Sequence, residues 1–126
     1  MRSNIKLGSL QQFIKSEGPI ENFSPDLFSA DEIHKIAVLD LRILNLDRNA
    51  CNILVKKREG KQEYTLVPID HGLSIPDSLE VCSYDLAWLS FSQADVPFSK
   101  RTLEFIRSLD IERDIALLEQ NFSFRP

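Results

Sequence analysis

Two β-rich runs, "NILVKK" and "EYTLVPID", are joined by "REGKQ", and the charged residues that bracket them restrict how this chain can fold. Gly60 can take the positive φ of a tight connection, so the spacing predicts a β-hairpin over 53–69. "LDRNACN" runs directly into the first strand and "IDHG" directly out of the second. The hairpin therefore carries Asp47, Arg48 and Asn52 at one end of its first strand, and Ile69, Asp70, His71 and Gly72 at the matching end of its second. The apolar residues of "ILV" are consecutive, which places that end of the strand inside the protein on both faces. Charged residues at the rim of a buried strand need a reason to be there.

The clearest helix start lies upstream. Ser29 and Glu32 form S-x-x-E, and Phe28 and Ile33 stand at the two positions of a hydrophobic staple, predicting a helix over 29–45. Ile33, Ile36, Ala37, Asp40 and Leu44 share one stripe of it. Asp40 interrupts that stripe, so it pairs with Arg42 or another cation, or sits at the helix edge. His34 reads as a surface or satisfied helix residue. A shorter helix is predicted over 9–17, with Ser9 as cap, Gln12 completing a capping box, and Leu10, Phe13 and Ile14 on one face. Gly18 and Pro19 stop it.

Past Gly72 the alternation is lost, and 73–98 reads as an irregular, activation-type segment. Trp88, Phe91 and Phe98 there bracket Pro97 and read as core aromatics rather than lipid contacts. Ser99 opens a helix over 99–109 with Leu103, Phe105, Ile106 and Leu109. Asp110 caps a last helix over 111–121 with Ile111, Ile115 and Leu118 at i, i+4 and i+7. The fold class this predicts is α+β, mostly α-helical with one functional hairpin.

Composition removes several classes. At 126 residues and a net charge of −4 the chain is one domain's worth with no basic face for nucleic acid. Cys51 and Cys82 are too few for a disulfide scaffold and lack metal-site spacing, so they read as reduced, semi-buried thiols. No apolar run approaches the ~18 residues of a membrane span. The basic hairpin tip "KKREGK" reads as a solvated turn. The expected location is the cytoplasm, free or peripheral at a membrane surface.

The chemistry lies in the order of the pieces. An Asp, an Asn five residues later, a hairpin and then Asp-x-Gly is the pattern of a kinase catalytic loop followed by its metal loop. One carboxylate orients the attacking hydroxyl and takes its proton. A hard divalent cation against nucleotide phosphates calls for carboxylate and amide oxygens. Gly72 is expected to permit the sharp turn away from the metal. Without that context the same residues read as a turn cap, a strand start and a turn.

"HKIAVLDLRILNLDRNACNILV", "LVPIDHGLSIP" and "WLSFSQADVPFS…SLDIERDIALL" together resemble the phosphatidylinositol 3-/4-kinase superfamily. Within it the chain looks like the type II phosphatidylinositol 4-kinases, above all the plant gamma group that carries ubiquitin-like domains. "GSLQQF" and "SPDLF" extend the likeness over nearly the whole chain. The resemblance implies a protein-kinase-like large (C-terminal) lobe with the small lobe absent. It implies ATP with Mg²⁺ or Mn²⁺ as cofactors, and phosphatidylinositol or a protein as acceptor.

Carried over by position, the resemblance makes Asp47 the catalytic aspartate and Asn52 and Asp70 the metal ligands. It places Leu54 and Ile69 on the floor of the adenine pocket. Arg48 stands beside Asp47 in the catalytic pair, on a phosphate or in an ion pair with an acid such as Asp40. His71 is either a phosphate contact or a filler of the internal spine. The family usually has His after Asp-Arg, where this chain has Asn49, an amide that cannot act as acid or base. Gly8, Gly18, Gly60 and Gly72 are too scattered to form a phosphate-covering loop. A truncated, non-catalytic remnant acting as an interaction module is therefore the rival expectation.

Overall fold

The computed structural model describes residues 8, 10–78 and 84–122. Helix α1 (Ala30–Ile43) is its axis. Ser29 caps it, its side chain accepting the Glu32 N–H at 3.3 Å, and Phe28 and Ile33 are both buried, as a staple requires. Glu32 does not return the favour to the cap. Its carboxylate reaches across to the N–H of Leu66 at 2.7 Å and to Lys35, so it covers a strand edge instead. The helix ends at Leu44, which is left-handed at φ 49, with the Leu44 and Asn45 N–H groups both on the Asp40 carbonyl.

A three-stranded antiparallel sheet packs on α1 in the order β1 (Gly18–Pro19), β3 (Ile53–Lys57), β4 (Tyr64–Pro68). β3 and β4 form the hairpin, in a register that pairs Leu54 with Val67 and Val55 with Leu66. Gly60 at its tip has φ +72. Ile53 and Val55 are fully buried against Ile33, Ile36 and Leu66, whereas Leu54 between them is half-buried and lies on the opposite face. Phe23, Phe28 and Tyr64 close one end of this core with ring centroids 6.2–6.4 Å apart.

A second, two-stranded sheet is parallel and short. β2 (Asp47–Arg48) pairs with β5 (Asp85–Leu86), Asp47 opposite Asp85 and Arg48 opposite Leu86. Two 3₁₀ turns follow, Ala87–Ser90 and Ser92–Asp95, and they pack Trp88 into the core. Helices α2 (Lys100–Arg107) and α3 (Ile111–Phe122) complete the described chain. Ser99 caps the first through the Thr102 N–H, and Asp110 accepts the Arg113 N–H at the start of the second. Arg42 holds α3 to α1 by a two-pronged ion pair with Asp114 at 2.7–2.9 Å. The protein is thus α+β.

Three expectations need correction. The helix over 9–17 does not form: residues 10–16 are irregular, and Ser9 lies outside the described residues. Leu10 and Phe13 are 102% and 89% exposed, so its apolar face has nothing to pack on, and a helix that short is marginal alone in water. The chain is recruited to the sheet instead, Glu17 donating its N–H to the Val55 carbonyl at 2.8 Å. Phe98 is 38% exposed rather than core; it stands edge-on to His34, which is buried and bonded through Nε2 to the Gln93 carbonyl at 2.8 Å, the second of the two readings left open for it. Cys51 is exposed rather than semi-buried, and Cys82 lies outside the described residues.

Candidate active site

The site begins with a single arginine. β2 brings Arg48 inward beneath the C-terminal half of α1, where it is 0% exposed and Asp40 is 1% exposed. Their ion pair is made at 2.8 Å through Nη2 and Oδ1, with Nε 3.1 Å from both carboxylate oxygens. The other guanidinium nitrogen, Nη1, donates to the carbonyls of Ile69, Asn52 (3.3 Å) and Asp70 (3.5 Å). Nη2 also meets His71 Nδ1 at 2.9 Å. Every edge of the guanidinium is thereby occupied by protein, which leaves it nothing to offer a phosphate.

Around this buried cation stand the expected site residues. The hairpin register continues past the strands, so the Ile69 N–H bonds the Asn52 carbonyl at 2.9 Å and brings Asn52 beside Asp70. Leu54 and Ile69, half-buried, lie along the same part of the sheet. Asp47 is half-buried, its backbone N–H held by Asn45 Oδ1 at 3.1 Å. Asn45, itself buried, is a positioning residue that sequence reasoning missed; its only signal is an asparagine two residues before an aspartate. The side chains of Asp47 and Asn52 make no hydrogen bond within the described chain, and Asp70 uses only Oδ1, on the Gly72 N–H at 3.2 Å.

Asp70 itself sits at φ 55, a conformation an aspartate reaches more easily than most residues but still at a cost. This corrects the role assigned to Gly72, whose φ is not positive. A Cβ at position 72 would stand 3.3 Å from Asp70 Oδ1, so glycine keeps the carboxylate's neighbourhood clear. His71 is exposed and fills no internal spine. Partial burial, and then the Arg48 guanidinium beside it, push its imidazole below the usual range.

Asn49 lies half-buried with Oδ1 lacking a partner among the described residues. Cys51 donates its thiol to Glu21 at 3.3 Å, and that hydrogen bond, with the carboxylate's charge, raises the thiol pKa. Among the described residues no cluster of three or more His, Cys, Asp or Glu could hold a metal. A cation here would rest on one carboxylate and one amide plus water, and Asp70 with Asn52 supplies the hard oxygens that Mg²⁺ takes in such sparse sites. A groove of about 760 Å³ between Gln12–Glu17 and the hairpin tip has none of Asp47, Asn52 or Asp70 in its lining.

Two acids and an amide are thus set around one hairpin, Asp47 and Asn52 with side chains unbonded among the described residues and Asp70 with one carboxylate oxygen engaged. The family model "Phosphatidylinositol 3- and 4-kinase" matches residues 1–123, and the chain belongs to that family. It is 49% identical over 115 residues to phosphatidylinositol 4-kinase gamma 2 of Arabidopsis thaliana, covering 90% of this chain and 20% of that protein. It is 48% identical to gamma 3 of the same plant, over 91% of this chain and 20% of the relative. Identity to gamma 4 of Oryza sativa subsp. japonica is 45%, again over 90% and 20%. The chain thus spans about a fifth of the length of the curated relatives it matches. No solved structure matches it at a significant level.

Proposed function

We propose that this chain is the metal-and-base portion of an ATP-dependent lipid kinase, folded as a protein-kinase-like large lobe, whose parent moves the γ-phosphoryl of ATP to an inositol hydroxyl of phosphatidylinositol. One observation carries the reading: the Asp47 and Asn52 side chains and one Asp70 carboxylate oxygen make no hydrogen bond among the described residues, beside an arginine that holds the Asn52, Ile69 and Asp70 carbonyls. Asp47 orients the acceptor hydroxyl and takes its proton. Asn52 and Asp70 would hold Mg²⁺, which neutralises charge on the transferring phosphoryl group. Leu54 and Ile69 offer an apolar floor to the adenine. His71 acts through its contact with Arg48, and Arg48 acts as a positioning residue.

These 126 residues contain no glycine-rich cover for the phosphates, so the chain by itself is expected to bind Mg·ATP weakly and turn over negligibly. Calorimetric titration of Mg·ATP into the chain and into Asp70→Ala tests the reading. Binding to the first and not the second supports it; equal binding to both overturns it.

A non-catalytic interaction module is the second reading, and Asn49 favours it. An amide stands where the family usually has an imidazole, with its oxygen buried and unpartnered among the described residues. Phosphoryl transfer by the parent protein, lost on Asp47→Asn, would remove this alternative.

A further inference from the structure

Trp88 is more than a core aromatic. Its ring is buried, 7% exposed, and its Nε1–H donates to Asp40 Oδ2 at 3.1 Å. Asp40 is the same carboxylate that holds Arg48. A hydrogen-bonded line therefore runs from Trp88, in the turn after β5, through Asp40 and Arg48 to the backbone at Ile69 and Asp70 and the ring of His71. Trp88, Asp40 and Arg48 are buried, so the bonds among these three lie where water cannot substitute for them, while those to the 69–70 carbonyls and His71 are part-buried.

The far end of that line meets a strained residue. Asp70 sits at φ 55, and the carbonyls on either side of its Cα, those of Ile69 and Asp70, both face Arg48 Nη1. A left-handed residue brings those two carbonyls toward one side, and one guanidinium nitrogen spanning them fixes the turn. Strain of this kind persists only where the surroundings over-determine it. The guanidinium is planar and rigid, so rotating Asp40 tilts the whole fork, including the nitrogen on the 69–70 carbonyls. Trp88 is the contact from outside the ion pair that holds Asp40 Oδ2 against rotation, beside Arg48 Nε.

We propose that Trp88 and Asp40 are positioning residues for Asp70: acting through Arg48, they hold the metal loop in the backbone conformation that presents the Asp70 carboxylate. The metal loop is thereby tied to the end of the segment that follows it. Both ends of that segment are anchored near the same helix terminus, Ile75 donating to the Ile43 carbonyl at 2.8 Å and Asp85 to the Leu46 carbonyl at 2.9 Å. A shift in the segment's far end is therefore felt at Asp70 through a fixed chain of hydrogen bonds. The proposal rests on the reading of Asp70 as a metal ligand.

Trp88→Phe is the test, since it keeps an aromatic ring in the core and removes only the donor. Amide hydrogen exchange would be followed by NMR on the ¹⁵N-labelled chain, with Mn²⁺ added to the same samples. The expected result is exchange about tenfold faster at the Gly72 and Ser74 amides, with Ile36 and Ala37 in α1 unchanged. Mn²⁺ broadening at Asp70 should weaken in parallel. Unchanged exchange at Gly72 and Ser74, or a rise of equal size throughout the protein, would overturn the proposal, because a purely packing role gives one of those patterns. Should Trp88→Phe fail to fold, native-state exchange of the unmutated chain in low urea is read instead: the Trp88 indole N–H opening together with the Gly72 and Ser74 amides supports the proposal, and its opening in a separate step overturns it. If Mn²⁺ leaves the Asp70 signal of the unmutated chain untouched, the metal-ligand reading fails, while the exchange data still decide whether Trp88 positions the loop.

Discussion

Asp47 and Arg48 are neighbours on β2, and the period of a strand sends their side chains to opposite sides. The arginine goes into the protein, where its donors meet a carboxylate, three carbonyls and an imidazole. The aspartate goes to the rim, with its carboxylate bonded to nothing in the described chain. Opposite charges one residue apart thus do opposite work. Charges that are saturated and buried hold the frame, and charges left free at its edge are available to a ligand. Removing a residue from the first set should cost stability, and removing one from the second should cost binding.

The largest effect belongs to the buried set. Arg48→Met leaves Asp40 buried without its cation and should destabilise the protein by about 3–5 kcal/mol in urea unfolding. Asp47→Asn, one residue away, should stay within about 0.5 kcal/mol of the unmutated chain. Equal losses would erase the distinction.

Asp70→Gly should split the two properties most clearly. Glycine accepts φ 55 without strain, so stability should hold or rise by up to about 1 kcal/mol, while Mg·ATP affinity falls at least tenfold by calorimetry. A marked loss of stability would place Asp70 with the frame.

Smaller still is the Arg42–Asp114 pair, about a third exposed on both sides. Arg42→Ala should lower stability by no more than about 1 kcal/mol and leave nucleotide binding alone.

The smallest effect is one of pH. Burial and Arg48 disfavour the charged imidazole of His71 in the folded protein, so the unfolded chain takes up that proton first. From about 6.5 down to the lowered folded value, stability should therefore fall as pH falls, and above that window the contribution is constant. In His71→Gln that slope should flatten slightly, because the ring is exposed and screened; an unchanged slope would assign it to another group.

Elements whose signals are local were legible in the sequence. Ser29, Phe28 and Ile33 mark the start of α1 within a few residues, and Gly60 marks the hairpin tip. Asp40 gave warning as the one acid in an apolar stripe, which calls for a buried cation without saying which. The choice between Arg42 and Arg48 depended on where β2 crosses beneath the helix, a tertiary matter. The helix expected over 9–17 failed for the mirror-image reason: its pattern was correct, but no surface lay opposite Leu10 and Phe13. Glu32 was read as a capping partner, yet the unpaired N–H of Leu66, 34 residues away, is the stronger claim on its carboxylate.

Of the candidate site, the identity and order of Asp47, Asn52, Asp70 and Gly72 were readable because one hairpin links them. The links that hold them, Trp88 to Asp40 and Arg48 to the 69–70 carbonyls, join residues 48 and about 20 positions apart and leave no periodic trace. The left-handed Asp70 was equally invisible, since a glycine two residues on carries the stronger local signal for a positive φ.

Paramagnetic broadening by Mn²⁺·ADP in the NMR spectrum of the ¹⁵N-labelled chain tests the free-rim claim most directly. The account predicts that the amide signals of Asn52, Asp70 and Gly72 broaden first, at sub-stoichiometric metal, and that Asp70→Ala abolishes the effect. Broadening centred elsewhere, or undiminished in Asp70→Ala, would contradict it.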